Sequence, residues 1–292
     1  MWQAIETAIS RATGRPFKVL SSSSLAGGCI NQAVCLVGEG RQYFVKLNQA
    51  EHLEMFTAEA AGLNEIRGSG AIRAPEPICT GTGEGTGWLV LEFITMDSPG
   101  QETSTLLGKQ LAEMHRHTAP SFGWSRDNTI GTTPQSNHQT QDWIAFQREH
   151  RIGFQLQLAG KNGAPATLLD RGQRLLQELP ALFTDYQPQA SLLHGDLWGG
   201  NWGCSENGVP VLFDPAVYYG DREADLAMTE LFGGFDDRFY QSYRQVWTVD
   251  PGYKTRKVLY NLYHILNHYN LFGGGYARQA LGMVDTLISE IS

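Results

Sequence analysis

The residues best suited to chemistry lie in the second half of the chain. His194-Gly195-Asp196-Leu197-Trp198-Gly199-Gly200-Asn201 is followed by Phe213-Asp214-Pro215. Two carboxylates and an amide oxygen are hard donors of the kind Mg²⁺ prefers, since that ion takes oxygen ligands and keeps several waters. The spacing His-x-Asp-x₄-Asn, then a strand and a second Asp, is the pattern used for phosphoryl transfer. In that pattern the first Asp takes the proton of the attacking hydroxyl, and the Asn and the second Asp hold magnesium. Asp196 is therefore the expected catalytic base, and Asn201 and Asp214 the expected metal ligands. A single Asp or Asn in a loop is ordinarily a turn former, but turn chemistry does not account for all three at this joint spacing.

The first third of the chain supplies parts that such a reaction needs. Lys46 closes the apolar run Tyr43-Phe44-Val45-Lys46-Leu47, where an unpaired ammonium would be costly. Glu59 falls on the apolar face of a predicted helix with Met55, Phe56, Leu63 and Ile66, and an acid is unexpected there unless it is paired. The two anomalies resolve each other if Lys46 pairs with Glu59 and reaches the nucleotide phosphates. Upstream, Gly27, Gly28 and Cys29 lie between two predicted strands. Glycines there allow the backbone to close over phosphates, although the segment lacks both Gly-x-Gly-x-x-Gly and Gly-x₄-Gly-Lys-Ser/Thr, and a plain turn is an equal reading. Glu92, Phe93 and Ile94 end a predicted strand where backbone groups would meet the adenine, a reading that rests on position.

These residues need elements to position them. Residues 2–12 read as a short amphipathic helix and 17–47 as β-rich. Two apolar runs flank Gly38-Glu39-Gly40-Arg41, a hairpin pattern. Residues 51–67 switch to helical period, and Trp88–Ile94 reads as a strand. A cluster of Asp, Ser, Pro and Gly at Met96–Gly100 marks a boundary. Beyond it, residues 103–117 read as a helix capped by Thr103 or Ser104. Residues 140–159, 165–185, 222–232, 236–247, 254–270 and 277–291 are further helices. Between them, Asn207-Gly208 separates two short apolar runs, a strong hairpin signal. Strands sorted ahead of helices imply an α+β, bilobal fold: a small β-rich lobe over residues 1–95 and a larger helical lobe over 96–292.

Composition bounds the function. The chain has 292 residues, 41% apolar and 18% charged, with a formal charge of −8. An acidic balance argues against a nucleic-acid binder and offers no polybasic membrane patch. The cysteines Cys29, Cys35, Cys79 and Cys204 form no CxxC pair and no zinc-ligand spacing. Reduced thiols in a cytoplasmic protein are the expectation. The N-terminal residues show no basic start followed by an apolar run, so no signal peptide is expected.

With these parts in place, the sequence resembles the fructosamine kinase (ketosamine-3-kinase) family, a branch of the protein-kinase-like fold beside the aminoglycoside and choline phosphotransferases. The resemblance rests on Gly27-Gly28-Cys29-Ile30-Asn31, Phe44-Val45-Lys46, Glu59-Ala60-Ala61-Gly62-Leu63 and Leu91-Glu92-Phe93-Ile94. It continues through Asp127-Asn128-Thr129-Ile130-Gly131, Pro134-Gln135-Ser136-Asn137 and Asp142-Trp143. Its most specific parts are the Leu-Trp within Leu193–Asn201 and the Asp-Pro-Ala of Phe213–Ala216; Tyr219–Met228 follows.

The resemblance implies ATP-dependent phosphorylation of the 3-hydroxyl of a ketosamine, free or protein-linked, as a deglycation repair. It implies ATP and Mg²⁺ as cofactors, Asp196 as base, Asn201 and Asp214 on the metal, and Lys46 on phosphate oriented by Glu59. Trp198 offers an apolar face for a sugar ring or, equally, a wedge under its own loop. Asp221 is placed at the mouth of the site, and Asp225 is expected to tie the catalytic loop to its helix. Cys29 is either a small residue in a turn, which fits a monomer, or a thiol whose oxidation, including a disulfide between two chains, distorts the loop. Two other readings stay open: a small-molecule kinase of the aminoglycoside or choline type, and a nucleotide-binding pseudokinase. Leu-Trp and Asp-Pro-Ala stand against the first; the presence of Lys46, Glu59, Asp196, Asn201 and Asp214 together stands against the second.

Overall fold

Alternating and helical hydrophobic periods produce the following order along the chain. The first stretch carries α1 (Trp2–Thr13), β1 (Ser21–Leu25), β2 (Gln32–Gly38), β3 (Arg41–Gln49), α2 (Leu53–Gly68), β4 (Pro77–Gly83), β5 (Thr86–Glu92) and β6 (Met96–Asp97). The middle carries α3 (Gln101–His115), β7 (Asn128–Ile130), β8 (Thr133–Gln135), α4 (Trp143–Phe146), α5 (Ile152–Lys161) and α6 (Ala166–Glu178). Then come β9 (Ser191–Leu193), β10 (Trp202–Ser205), β11 (Pro210–Leu212), β12 (Tyr218–Gly220), α7 (Glu223–Leu231), α8 (Asp237–Val246), α9 (Tyr253–Phe272) and α10 (Tyr276–Ile291). The computed structural model describes residues 1–25 and 30–291. Gly27, Gly28 and Cys29 lie outside the described residues. The chain divides into two compact units, one formed by Met1–Thr103 with Trp202–Pro215, the other by Ser104–Asn201 with Ala216–Ser292.

The first unit is built on a five-stranded antiparallel sheet in the order β1-β2-β3-β5-β4. Side chains alternate across a strand, so Val34, Leu36, Tyr43, Val45, Leu47, Trp88 and Val90 share one face. There they form a core with Ile5, Ile9 and Phe17. Each large apolar side chain fully buried in this way contributes on the order of 1.5–3 kcal/mol. The same alternation sends Lys46 to the opposite face, in register with Leu89 on β5. Helix α2 packs against β4 and β5 and buries Phe56, Leu63 and Ile66 completely. Two tight turns join the strands, with φ of 51° and 75° at Glu39-Gly40 and of 53° and 77° at Glu84-Gly85. Positive φ at both central residues matches the twist of a hairpin. The unit's second segment is the expected hairpin: β10 pairs antiparallel with β11 across Asn207-Gly208, and β6 pairs antiparallel with β10.

The second unit is helical. Helix α9 is its axis, burying Leu259, Tyr260, Leu262, Tyr263, Ile265, Leu266 and Tyr269. It packs against α5, α7 and α10, and on its buried sides it also carries Arg256, Asn261, His264 and Asn267. Two short antiparallel pairs, β9 with β12 and β7 with β8, complete the unit.

The structure departs from expectation at element ends. Helix α3 starts at Gln101, before either proposed cap. Thr103 instead accepts the Gly100 N–H on its hydroxyl at 3.3 Å, so it reaches back to the helix start from inside the first turn. The single helix expected over 140–159 is three pieces, with a π-helical turn at Gln147–Arg151 between α4 and α5. The helix expected over 165–185 gives way at Glu178 to a 3₁₀ segment, Leu179–Phe183, because Pro180 has no N–H to continue the α pattern.

Candidate active site

In the first unit Lys46 is 5% exposed. Its Nζ lies 2.6 Å from Glu59 Oε1 and 2.6 Å from Asp214 Oδ1. The expected Lys46–Glu59 pair is thus formed, and Asp214 joins it. Strand alternation aims Lys46 at the α2 face, and the helical period places Glu59 on the side of α2 that meets it. Burial alone would lower the Lys46 ammonium, but the Glu59 and Asp214 carboxylates outweigh it and hold the group above the ordinary lysine value. Lys46 therefore stays charged. Asp214 has φ 57°, as a residue without glycine's freedom. Among the described residues the other two, Glu39 and Glu84, sit in hairpin turns that demand it, whereas Asp214 follows β11 in a bend. Backbone strain of this kind costs on the order of 1–3 kcal/mol and clusters at functional sites.

In the second unit the loop after β9 carries Asp196. Asn201 Nδ2 donates to the Asp196 backbone oxygen at 2.8 Å and to its carboxylate Oδ2 at 3.1 Å. The five-residue separation is closed into one turn by this clasp. Gly195 makes the turn possible: its φ is 82°, and a Cβ there would stand 2.1 Å from the Ala216 carbonyl oxygen. The loop backbone is anchored from below by Asp225, 1% exposed. Its Oδ2 accepts the His194 N–H at 2.7 Å, and its Oδ1 accepts the Gly195 N–H at 2.9 Å. Burial would raise the Asp225 carboxyl, but His115, His194 and these backbone donors hold it below the ordinary value.

Sequence reasoning missed His115. Its Nε2 lies 3.1 Å from Asp225 Oδ2, and its Nδ1 lies 2.8 Å from the Tyr243 hydroxyl. Burial lowers the His115 pKa against the pull of Asp225. The neutral ring then donates from Nε2 to Asp225 and accepts at Nδ1 from Tyr243, whose oxygen receives an N–H from Arg222 at 3.1 Å. The only sequence signal was a histidine inside an apolar helical face.

The other expected residues lie as follows. Glu92 binds Arg73 at 2.7 Å and the Glu76 N–H at 3.3 Å through its side chain, and its own N–H bonds the Glu76 carbonyl. Phe93 and Ile94 follow β5 outside regular structure, half-buried. Trp198 packs its ring against Gly200, where a Cβ would come within 2.3 Å of it, yet the residue remains 40% exposed. Wedge and platform are therefore both compatible with one ring. Asp221 is not at a mouth: it is fully buried. It accepts from Tyr186 at 2.9 Å, Tyr260 at 2.5 Å and the Glu223 N–H at 3.0 Å. The start of α7 requires an acceptor for its exposed N–H groups, and Asp221 supplies it.

The donor chemistry fits Mg²⁺. Among the described residues no three His, Cys, Asp or Glu side chains gather into a cage. Mg²⁺ in phosphoryl-transfer enzymes needs none, since one or two carboxylates plus substrate phosphates and waters suffice. Within the first unit Asp214 carries a carboxylate, and within the second Asn201 carries an amide oxygen, its NH₂ being turned to Asp196.

The chain is similar to known proteins over nearly its whole length. The family model described as "Fructosamine kinase" matches residues 1–290. A "Probable ketoamine kinase" of Synechocystis is 48% identical over 97% of this chain and 95% of its own. A chloroplastic "Protein-ribulosamine 3-kinase" of Oryza sativa subsp. japonica is 42% identical over 93% of this chain and 80% of its own. Among solved structures, a protein of Haemophilus somnus 129PT assigned as a fructosamine-3-kinase superposes with a TM-score of 0.90 at 28% identity, covering 99% of this chain and 98% of that one. An aminoglycoside phosphotransferase in ternary complex with ADP and hygromycin B superposes with a TM-score of 0.62 at 17% identity over 98% of each chain, a likeness of fold alone.

Proposed function

Because the chain belongs to the fructosamine kinase family, and is thus an ATP-dependent phosphotransferase, we propose that it phosphorylates the 3-hydroxyl of ketosamines, free or protein-linked. Loss of the phosphorylated sugar would then regenerate the amine. The observation that carries this reading is the Asn201–Asp196 clasp, in a chain that matches the family over nearly its full length.

The roles follow from chemistry. Asp196 accepts the proton of the attacking sugar hydroxyl, with Asn201 holding its carboxylate in one orientation. Asp225 and His115 fix the loop that carries it. Lys46, kept charged by Glu59, binds nucleotide phosphate. Asp214 and the Asn201 amide oxygen are the groups that would hold Mg²⁺, which when bound neutralises charge on the transferring phosphoryl group. Trp198 presents its exposed side to the sugar ring, and the backbone at Glu92, Phe93 and Ile94 faces adenine. Asp221 is left out of substrate contact. Cys35, Cys79 and Cys204 are free thiols, as a reducing cytoplasm keeps them. Among the described residues no helix is long and apolar enough to cross a membrane.

The test is ADP release with Mg·ATP and, in parallel, a fructosamine, a ribulosamine, an aminoglycoside and choline. Turnover is expected with the two ketosamines. Asp196→Asn should lose at least ~10²-fold in turnover while nucleotide binding survives, since general acid–base catalysis is worth ~10²–10⁴. Release only with the aminoglycoside or choline overturns the substrate assignment, and near-normal turnover of the variant overturns the role of Asp196.

A further inference from the structure

The motifs Asp127–Gly131 and Pro134–Asn137 have no part in the chemistry above, yet they form a buried polar chain in which each amide is hydrogen-bonded. It starts at Arg151 on the π-helical turn, 1% exposed. The guanidinium lies over the rings of Tyr218 and Phe146, 4.1 Å and 4.5 Å from their centroids. It donates to the Ser136 carbonyl and to Asn137 Oδ1, each at 2.7 Å. Asn137, fully buried, donates from Nδ2 to Asn128 Oδ1 at 2.9 Å. Asn128 donates from Nδ2 to the Val217 carbonyl at 2.8 Å. Gln135, 1% exposed, accepts from the Tyr263 hydroxyl at 2.6 Å and donates to Asn128 Oδ1 at 2.8 Å and to the Ala216 carbonyl at 3.1 Å.

The direction of this chain is not arbitrary. Arginine can only donate, so Asn137 must turn its oxygen to Arg151 and its NH₂ to Asn128. Asn128 must then turn its NH₂ to Val217. One buried cation thus sets the orientation of two amides in series, and with Gln135 they grip two successive backbone carbonyls. Those carbonyls belong to the segment that closes on the catalytic loop. The Ala216 N–H bonds the His194 carbonyl at 2.8 Å, and the Ala216 oxygen occupies the space that a side chain at residue 195 would need. In sequence the segment begins two residues after Asp214.

We propose that Arg151, Asn137, Asn128 and Gln135 form a directional amide clamp that positions the catalytic loop by orienting the carbonyls of Ala216 and Val217. These are positioning residues that touch neither substrate nor nucleotide. The inference rests on the kinase reading above. A displacement of about 1 Å at a reacting group can cost ~10²-fold in rate, so the orientation of a peptide packed on Gly195 matters to turnover well beyond its effect on stability.

Two variants test the clamp in the full chain, with ADP release on a ketosamine as readout. Asn137→Asp keeps the acceptor for Arg151, gains an ion pair with it, and loses the donor to Asn128 and to the Arg126 carbonyl. The melting temperature is expected to hold or rise while kcat falls about tenfold, the scale of one hydrogen bond lost from the transition-state geometry, with KM for ATP within about twofold. Asn128→Asp replaces the donor to Val217 by an oxygen that donates only when protonated. Its kcat is expected to fall about tenfold, with KM for ATP within about twofold. Wild-type kcat in either variant overturns the clamp. Failure of the wild-type protein to turn over any ketosamine instead overturns the functional reading, so the two failures are told apart.

Discussion

Asp214 in the first unit is gripped by one cation, Lys46, which shares itself with Glu59 at the same 2.6 Å. Asp196 in the second unit is gripped by neutral donors, the Asn201 amide and a loop backbone nailed down by Asp225. The difference matches the role proposed for each group. Charge acts over distance and tolerates a few tenths of an ångström, which suits residues that neutralise phosphate and metal. A proton acceptor must meet one hydroxyl at hydrogen-bond distance, and directional neutral hydrogen bonds set such geometry better than an ion pair does. The first unit should therefore fail through unbalanced charge, and the second through lost orientation.

The largest expected effect breaks the charge side. Lys46→Met leaves Glu59, whose side chain is 11% exposed, as a buried carboxylate without its cation. Asp214, 44% exposed at the side chain, retains water. Removing one partner of a buried pair costs about 3–5 kcal/mol, whereas replacing both by apolar groups is close to neutral. Urea titration of Lys46→Met should show a loss of that size, and Lys46→Met/Glu59→Leu should recover most of it without recovering turnover. A double variant as unstable as the single one would mean that the pair is not held by charge balance.

This pair also shows why part of the site was legible in the sequence. A lysine and a glutamate that each violate the apolar period of their own element declare themselves, and Asn207-Gly208 declares its hairpin through turn chemistry alone. Asp196, Asn201 and Asp214 are readable because the chemistry constrains their spacing. His115 and Arg151 were not readable. The meaning of His115 depends on Asp225, 110 residues away, and that of Arg151 on a π-turn hidden inside what the period presents as one continuous helix. Asp221 was misplaced because an acid near a catalytic motif looks the same in sequence whether it faces substrate or caps a buried helix.

A smaller effect probes the orientation side. His115→Phe preserves the ring volume, removes one hydrogen bond from Asp225, and takes the acceptor from the Tyr243 hydroxyl. A hydrogen bond to a charged group is worth about 1.5–3 kcal/mol. The loss of stability should fall in that range, with kcat reduced and KM for ATP little changed, because Lys46 and Asp214 are untouched. Unaltered kcat alongside the stability loss would show that the two backbone bonds to Asp225 suffice to aim the loop.

The smallest expected effect separates the two units by pH. His264, on the buried axis helix, has its pKa lowered to about 3, first by burial and then by His268. An unfolded histidine titrates near 6.5, so between these values the unfolded chain binds a proton that the folded chain refuses. The sign follows: the contribution is complete above pH 6.5 and is lost progressively as pH falls towards 3. From pH 6.5 to 5.5 this amounts to at most about 1.4 kcal/mol. His115, lowered for the same reason, adds to the slope over the same window. His264→Phe removes one contribution of this sign and leaves those of His115 and His150, so its stability should fall less steeply than wild type between pH 7.5 and 5.5 in urea titrations. Equal slopes for His264→Phe and wild type would mean that the helical unit opens around His264 before the rest of the chain unfolds. The orientation side would then be held less rigidly than its hydrogen bonds imply.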